Sequence, residues 1–160
     1  MDVRYKEIDT PIGVVRVAWA DEGLVAVETG RQLDAPVPDE WRNDPGLECP
    51  AIEQLSDYFA GTRREFDLPL VLRGTAFQER VWNALTTIPY GKTINYTELA
   101  RLAGNERACR AAGAANGRNP MSIVLPCHRV IGASGRLTGY AGGLDVKELL
   151  LGLEAAVTAE

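Results

Sequence analysis

The chain has 160 residues, 46% apolar and 24% charged, a globular composition that excludes disorder, collagen-like repeats and coiled coil. No apolar run approaches the roughly 18 residues that span a bilayer, and Asp2, Arg4, Lys6, Glu7 and Asp9 leave no room for a signal-peptide core, so no membrane partner and a cytoplasmic location are expected. The net charge of −5 conceals an asymmetry: residues 1–73 carry 8 basic and 15 acidic side chains, residues 74–160 carry 9 and 7, which predicts two domains, 1–73 and 74–160, with different partners.

The first half reads as β-rich. Val3–Asp9, Val14–Ala20 and Leu24–Glu28 are short runs with β-branched residues. Thr10-Pro11-Ile12-Gly13 and Asp21-Glu22-Gly23 separate them, so two successive hairpins are expected. Residues 33–50 hold four prolines and read as a loop. A helix follows over 51–60, with Ile52, Leu55, Tyr58 and Phe59 at helical spacing and Gly61 as its stop. Nothing in this half has the pattern of a catalytic constellation, and it reads as a packed scaffold.

The second half opens on Thr75 with Gln78 three residues on, a capping box that satisfies free helix N–H groups. Phe77, Val81, Trp82 and Leu85 mark the apolar face of the helix that follows. Asn95 and Glu98 repeat the cap, starting a short helix that turns Leu99 and Leu102 inward. Gly104-Asn105 ends it, and a further helix is expected over 106–116. Helix, tight turn and helix make a helix-turn-helix pattern, which many small helical domains share. In the second helix Ala108, Ala111, Ala112, Gly113, Ala114 and Ala115 carry almost no bulk, and Arg107 and Arg110 stand near its start. Such a helix either packs closely on its neighbour or approaches DNA, with the arginines offering charge to phosphates and bases.

Cys49, Cys109 and Cys127 are widely spaced and odd in number, which argues against a disulfide framework. With one histidine and no CxxC pair, a four-ligand zinc site is not expected. Ser122–Leu125 reads as a buried strand delivering Pro126-Cys127-His128-Arg129-Val130. A free cysteine is often only a small hydrophobe, but here a polar cluster ends a buried segment, a placement with a desolvation cost. An ordinary thiol is about 3% ionised at pH 7, and half ionisation needs roughly 2 kcal/mol. In an extended chain Cys127 and His128 would face opposite ways, so a turn or a bridging water is required between them. An acidic partner would orient the imidazole and favour its protonated form. Glu154, late in an amphipathic segment with Val146, Leu149, Leu150 and Leu153, is the candidate.

Pro126-Cys127-His128-Arg129-Val130 resembles the active-site motif of the O⁶-alkylguanine-DNA alkyltransferases, the methylated-DNA–protein-cysteine methyltransferases. The likeness extends over residues 74–154, through Phe77–Trp82, Ile88-Pro89-Tyr90-Gly91, Tyr96, the Arg110 helix, Asn119-Pro120 and Gly139-Tyr140 to Lys147. It implies an α+β fold, a small antiparallel β-sheet domain with helix (ribonuclease-H-like) followed by a winged helix-turn-helix domain. It implies direct-reversal DNA repair, in which the alkyl group of O⁶-alkylguanine, or O⁴-alkylthymine, passes irreversibly to Cys127 after base flipping. His128 would act as base through a water, oriented by Glu154. Tyr96 would rotate the base and donate a proton, and Asn119 would join the recognition helix to the active-site segment. Arg110 would fill the vacated stack, with Tyr96, Arg107, Ala111 and Gly113 also against DNA. Val130 and Ala141 would read the base through backbone groups, Gly132–Gly139 would form the wing, and Tyr140 would cover the pocket. The partner would be double-stranded DNA, entered by the minor groove, bound by a monomer with no cofactor and no metal. Gly142, where narrow-pocket relatives place Trp, implies tolerance of larger alkyl groups. Two rivals are a non-catalytic winged-helix DNA-binding protein, which leaves Cys127 without a task, and a Cys-His hydrolase, for which adjacent residues are awkward.

Overall fold

Both predicted hairpins form. In the computed structural model, which describes residues 1–160, β1 (Arg4–Thr10), β2 (Gly13–Ala20) and β3 (Gly23–Thr29) run antiparallel in sequence, with Gly13 and Gly23 at positive φ in the connections. The proline-rich loop is more structured than expected. A 3₁₀ turn at Gly30–Asp34 leads into it, and within it β4 (Arg42–Asn43) adds to β1 in parallel, giving sheet order β3-β2-β1-β4. The helix α1 (Pro50–Phe59) then buries Ala51, Leu55 and Tyr58 and ends before Gly61, whose φ is +79°.

Both capping boxes in the second half are present. Thr75 caps α2 (Ala76–Leu85), and Asn95 caps α3 (Tyr96–Leu102), each exchanging bonds with the residue three positions on. The next helix, α4 (Cys109–Gly117), starts three residues later than the sequence suggests. The Asn105 side chain accepts from the Arg107 N–H, and the Asn105 carbonyl accepts from Ala108, which holds 105–108 as a turn. Arg107 therefore lies before the helix. Short strands β5 (Ile94–Asn95) and β6 (Val130–Ile131) pair in parallel, and α5 (Leu144–Thr158) closes the chain.

The two halves share one core. Val15, Leu24, Val27, Leu55 and Tyr58 belong to the same buried cluster as Trp82, Leu85, Leu99, Leu125 and Leu150. Two expected core residues are not in it: Leu102 is 52% exposed and Leu149 is 51% exposed. In α3 the buried residues are Leu99 and Ala100, with Ala103 just past its end, and in α5 they are Val146, Lys147, Leu150 and Glu154, which turns both leucines to solvent. A lysine and a glutamate thus occupy the inner face that leucine was expected to share.

The outer edge of β3 joins sheet to site. Val27 donates its N–H to the Pro120 carbonyl, and the Val27 carbonyl accepts from Ser122, so the segment leading to Cys127 docks as an extra edge. Beside it, two glycines bring backbones together. A β-carbon on Gly30, at φ +51°, would overlap the Gly142 carbonyl, and one on Gly142 would overlap Thr29. Arg31 donates its N–H to that same Gly142 carbonyl at 3.1 Å. This close approach gives Gly142 a packing reason separate from pocket width. Gly142→Ala is expected to lower stability by roughly 1–3 kcal/mol, the usual cost of overpacking, read from urea unfolding; an unchanged midpoint would contradict the contact.

Candidate active site

Residues 122–125 do not form the expected strand. The Val124 N–H donates to the Ser122 carbonyl across Ile123, whose φ of +77° is rare for a β-branched residue. Cys127 then donates to the Leu125 carbonyl across Pro126, at φ −78° and ψ 64°, an inverse γ-turn. Cys127–Arg129 continue as one 3₁₀ turn. A segment so apolar reads as extended from its composition alone, yet the chain must reverse here between the β3 edge and β6. Asn119 braces it. Its Oδ1 accepts from the Met121 N–H at 2.9 Å, and its Nδ2 donates to the Leu125 carbonyl at 2.7 Å. The required turn between Cys127 and His128 is therefore built into the backbone.

His128 has no exposed surface, and its Nε2 lies 2.6 Å from Glu154 Oε2. That carboxylate accepts four further bonds. Arg129 Nε and the Gly91 N–H donate to Oε1 at 2.8 and 3.1 Å, and Arg129 Nη2 and the Tyr58 hydroxyl donate to Oε2 at 3.1 and 2.6 Å. Arg129 Nη1 also donates to the Ile88 carbonyl. Burial alone would raise the Glu154 pKa, but hydrogen bonds from His128 and Arg129 and the Arg129 charge outweigh it and hold the carboxyl well below the usual range. Glu154 is thus an anion, so His128 Nε2 carries the proton of that short bond. Its Nδ1 is buried and has no partner in the protein, a bare lone pair.

Glu154 favours the protonated imidazole, as expected, but burial opposes charge on both His128 and Cys127. Burial lowers the His128 pKa more than Glu154 raises it, with Arg129 and Lys147 adding to the lowering, so the imidazole rests neutral. Burial likewise pushes the Cys127 thiol up, despite the opposing pull of Asn119, Lys147 and Ser122. The resting sulfur is a thiol. Proton removal must therefore accompany any attack by this sulfur.

Cys127 is 3% exposed. Tyr140 lies beside the sulfur, its buried hydroxyl without a hydrogen-bond partner and its pKa raised by burial. Tyr140 also lines a groove of about 780 Å³ with Gly30, Arg31, Asp34 and Gly142–Asp145. The Ala141 N–H makes no bond within the protein, whereas the Val130 carbonyl already accepts from Lys147 Nζ at 2.6 Å, leaving one lone pair. Lys147 has no exposed surface and also donates to the Thr138 and Gly139 carbonyls, tying 138–139 to β6. Residues 132–136 form a hydrogen-bonded turn rather than a strand hairpin. Tyr96 lies between this turn and α4: its hydroxyl donates to the Thr138 carbonyl at 3.1 Å, and its ring faces Gly113. On α4, Ala112 and Ala115 face the core, as the packing reading expects, while Arg110, Ala111 and Ala114 face solvent. Arg110 forms no ion pair.

Three contributors went unassigned in the sequence. Tyr58, Arg129 and Lys147 were each visible as an oddity: a tyrosine on an apolar helix face needs a partner for its hydroxyl, and Lys147, Leu150 and Glu154 recur at one helical face.

Residues 3–72 match the family described as "6-O-methylguanine DNA methyltransferase, ribonuclease-like domain", and residues 76–156 match its "DNA binding domain". The chain belongs to the 6-O-methylguanine DNA methyltransferase family. It is 51% identical over 152 residues to the methylated-DNA–protein-cysteine methyltransferase of Mycolicibacterium paratuberculosis, covering 95% of this chain and 92% of that protein. It is 49% identical to the one from Methanosarcina acetivorans, over 95% and 98% of the two chains. The crystal structure of Mycobacterium tuberculosis OGT in complex with DNA superposes with a TM-score of 0.89 at 49% identity, over 96% of this chain and 94% of that one. This methyltransferase family thus supplies both the mixed α+β architecture and the order of the two halves.

Proposed function

We propose that the protein repairs DNA by direct reversal, moving the alkyl group from O⁶ of guanine to the sulfur of Cys127. The observation that carries this reading is the bare Nδ1 of His128 in the turn that holds Cys127, its opposite Nε2–H fixed on Glu154. The thiol proton passes to Nδ1, through a water where the gap requires one. The sulfur attacks the alkyl carbon, the carbon–oxygen bond breaks, and its electron pair stays on the guanine, which takes up a proton as it leaves. Tyr96 supplies that proton once its hydroxyl leaves the Thr138 carbonyl. The product is a thioether, so each molecule acts once and needs no cofactor. O⁴-alkylthymine presents the same kind of carbon and is a second substrate.

Residues 1–73 serve as scaffold and residues 74–160 hold DNA and do the chemistry. Chemistry at O⁶ requires the base outside the stack, and the Tyr140–Gly143 turn opens to admit it. A helix as slim as α4 enters a minor groove readily, with Arg110 in the vacated space and Arg107, Ala111 and Gly113 along the backbone. Ala141 N–H and the remaining lone pair of the Val130 carbonyl meet the base edge. The protein works as a monomer in the cytoplasm. No helix is long and apolar enough to cross a membrane.

The test is intact mass spectrometry after mixing with a duplex holding one O⁶-methylguanine. A gain of about one methylene mass on the Cys127 peptide supports the reading, and no gain at stoichiometric excess rejects it. Arg110→Ala is expected to slow transfer from duplex DNA at least about tenfold while leaving reaction with a free O⁶-alkylguanine base unchanged. Equal losses on both substrates would remove Arg110 from the stack.

A further inference from the structure

We infer that Tyr58, from the half of the chain with no reacting atom, is a positioning residue for His128. Its hydroxyl shares Glu154 Oε2 with His128 Nε2 and thereby helps hold the imidazole neutral, with Nδ1 open to a proton. The bond spans 96 residues of sequence and is fully buried at 2.6 Å. The Tyr58 ring is set by aromatic neighbours, Phe59 at 5.3 Å, Phe66 at 5.7 Å and Tyr90 at 6.1 Å between centroids. The hydroxyl therefore has one direction available, onto the carboxylate.

Two carboxylate oxygens offer about four lone-pair sites, and here they receive five donors, three of them on Oε2. Each donor spreads the negative charge that would otherwise favour an imidazolium. The groups facing His128 divide clearly. Arg129 and Cys127 come from its own turn and Lys147 from α5, and the two cations oppose a charged ring. Glu154, also from α5, favours one. Tyr58 reaches in from α1 and weakens that single opposing influence. Without its hydroxyl, Oε2 binds the His128 N–H more strongly and a second proton settles on Nδ1, where it blocks acceptance from the thiol.

His128 is the only histidine, so ¹⁵N-histidine labelling yields one imidazole spectrum. The wild type is expected to show the Nε2–H tautomer, titrating below the ordinary value near 6.5. Tyr58→Phe keeps the tautomer and raises the pKa by about half a unit or more, and the acid limb of the methyl-transfer rate moves by the same amount. Tyr90→Phe is the control, since it removes a hydroxyl without a partner from the same aromatic cluster, and should leave the titration in place. No shift in Tyr58→Phe, or an equal shift in Tyr90→Phe, overturns the inference. Should Tyr58→Phe not fold, the wild type decides: a slowly exchanging Tyr58 hydroxyl proton with a cross-peak to the His128 Nε2 proton supports the role, and its absence overturns it. The consequence for repair rests on the function proposed above, but the titration does not. A shift without any methyl transfer would leave Tyr58 in its role and reject the function instead.

Discussion

Glu154→Ala is expected to lower stability by roughly 3–5 kcal/mol, because it leaves the Arg129 guanidinium buried without its anion. Arg129 is 5% exposed, so water cannot replace the carboxylate cheaply. The same change frees the His128 ring to adopt either tautomer. With Nδ1 protonated in part of the population, transfer slows by about 10²-fold or more, the usual scale for losing an oriented base. Chemical denaturation and single-turnover kinetics measure the two effects. Glu154→Gln, which retains an acceptor, keeps the kinetic test open if alanine does not fold. A rate within about twofold of wild type would remove Glu154 from the mechanism.

Acid tests the same network. His128 and Glu154 both have pKa values depressed by the fold. For each, the unfolded chain binds protons first, so the stabilisation is whole above the unfolded pKa and falls as pH drops toward the folded one. Wild-type stability should therefore decline below about pH 6.5 through His128 and more steeply below about pH 4.3 through Glu154. Lacking the carboxylate, Glu154→Ala should lose the steeper portion of this decline.

Cys127→Ala is expected to abolish transfer entirely while leaving binding to alkylated duplex measurable. The side chain is small and buried, so loss of one sulfur atom costs about 1–2 kcal/mol at most, and α3 and α4 lie outside the change. Intact mass reads the first result and a gel-shift titration the second. A variant that still gains methyl mass would move the nucleophile elsewhere, with Cys109 the half-exposed alternative on α4. Wild type and variant behaving alike, with no mass gain in either, would favour the non-catalytic DNA-binding reading.

Much of this protein is legible from local pattern. The hairpins at Gly13 and Gly23, the capping boxes at Thr75 and Asn95, and the stop at Gly61 follow from dihedral needs and free N–H groups, which neighbouring residues decide among themselves. Cys127, His128 and Glu154 stand out because polar groups placed in apolar surroundings need a reason to be there. Long-range placement was not legible. Ser122–Leu125 looks like a strand because its composition is apolar, and becomes two tight turns because the β3 edge and Asn119 capture its ends. Leu149 faces solvent, and Lys147 faces inward, because three backbone carbonyls outside α5 await its ammonium.

The amino-acid order alone settles which atoms are available for chemistry and which short segments hold their shape, since both depend on residues within a turn or two of each other. The protonation of those atoms was settled by folding. Desolvation depends on what surrounds a group from every direction, as does the pairing of Tyr58 with Glu154, 96 residues apart, and burial leaves Cys127 a thiol and His128 a neutral base. Charge in a buried site is a property of its whole enclosure, which no stretch of sequence contains.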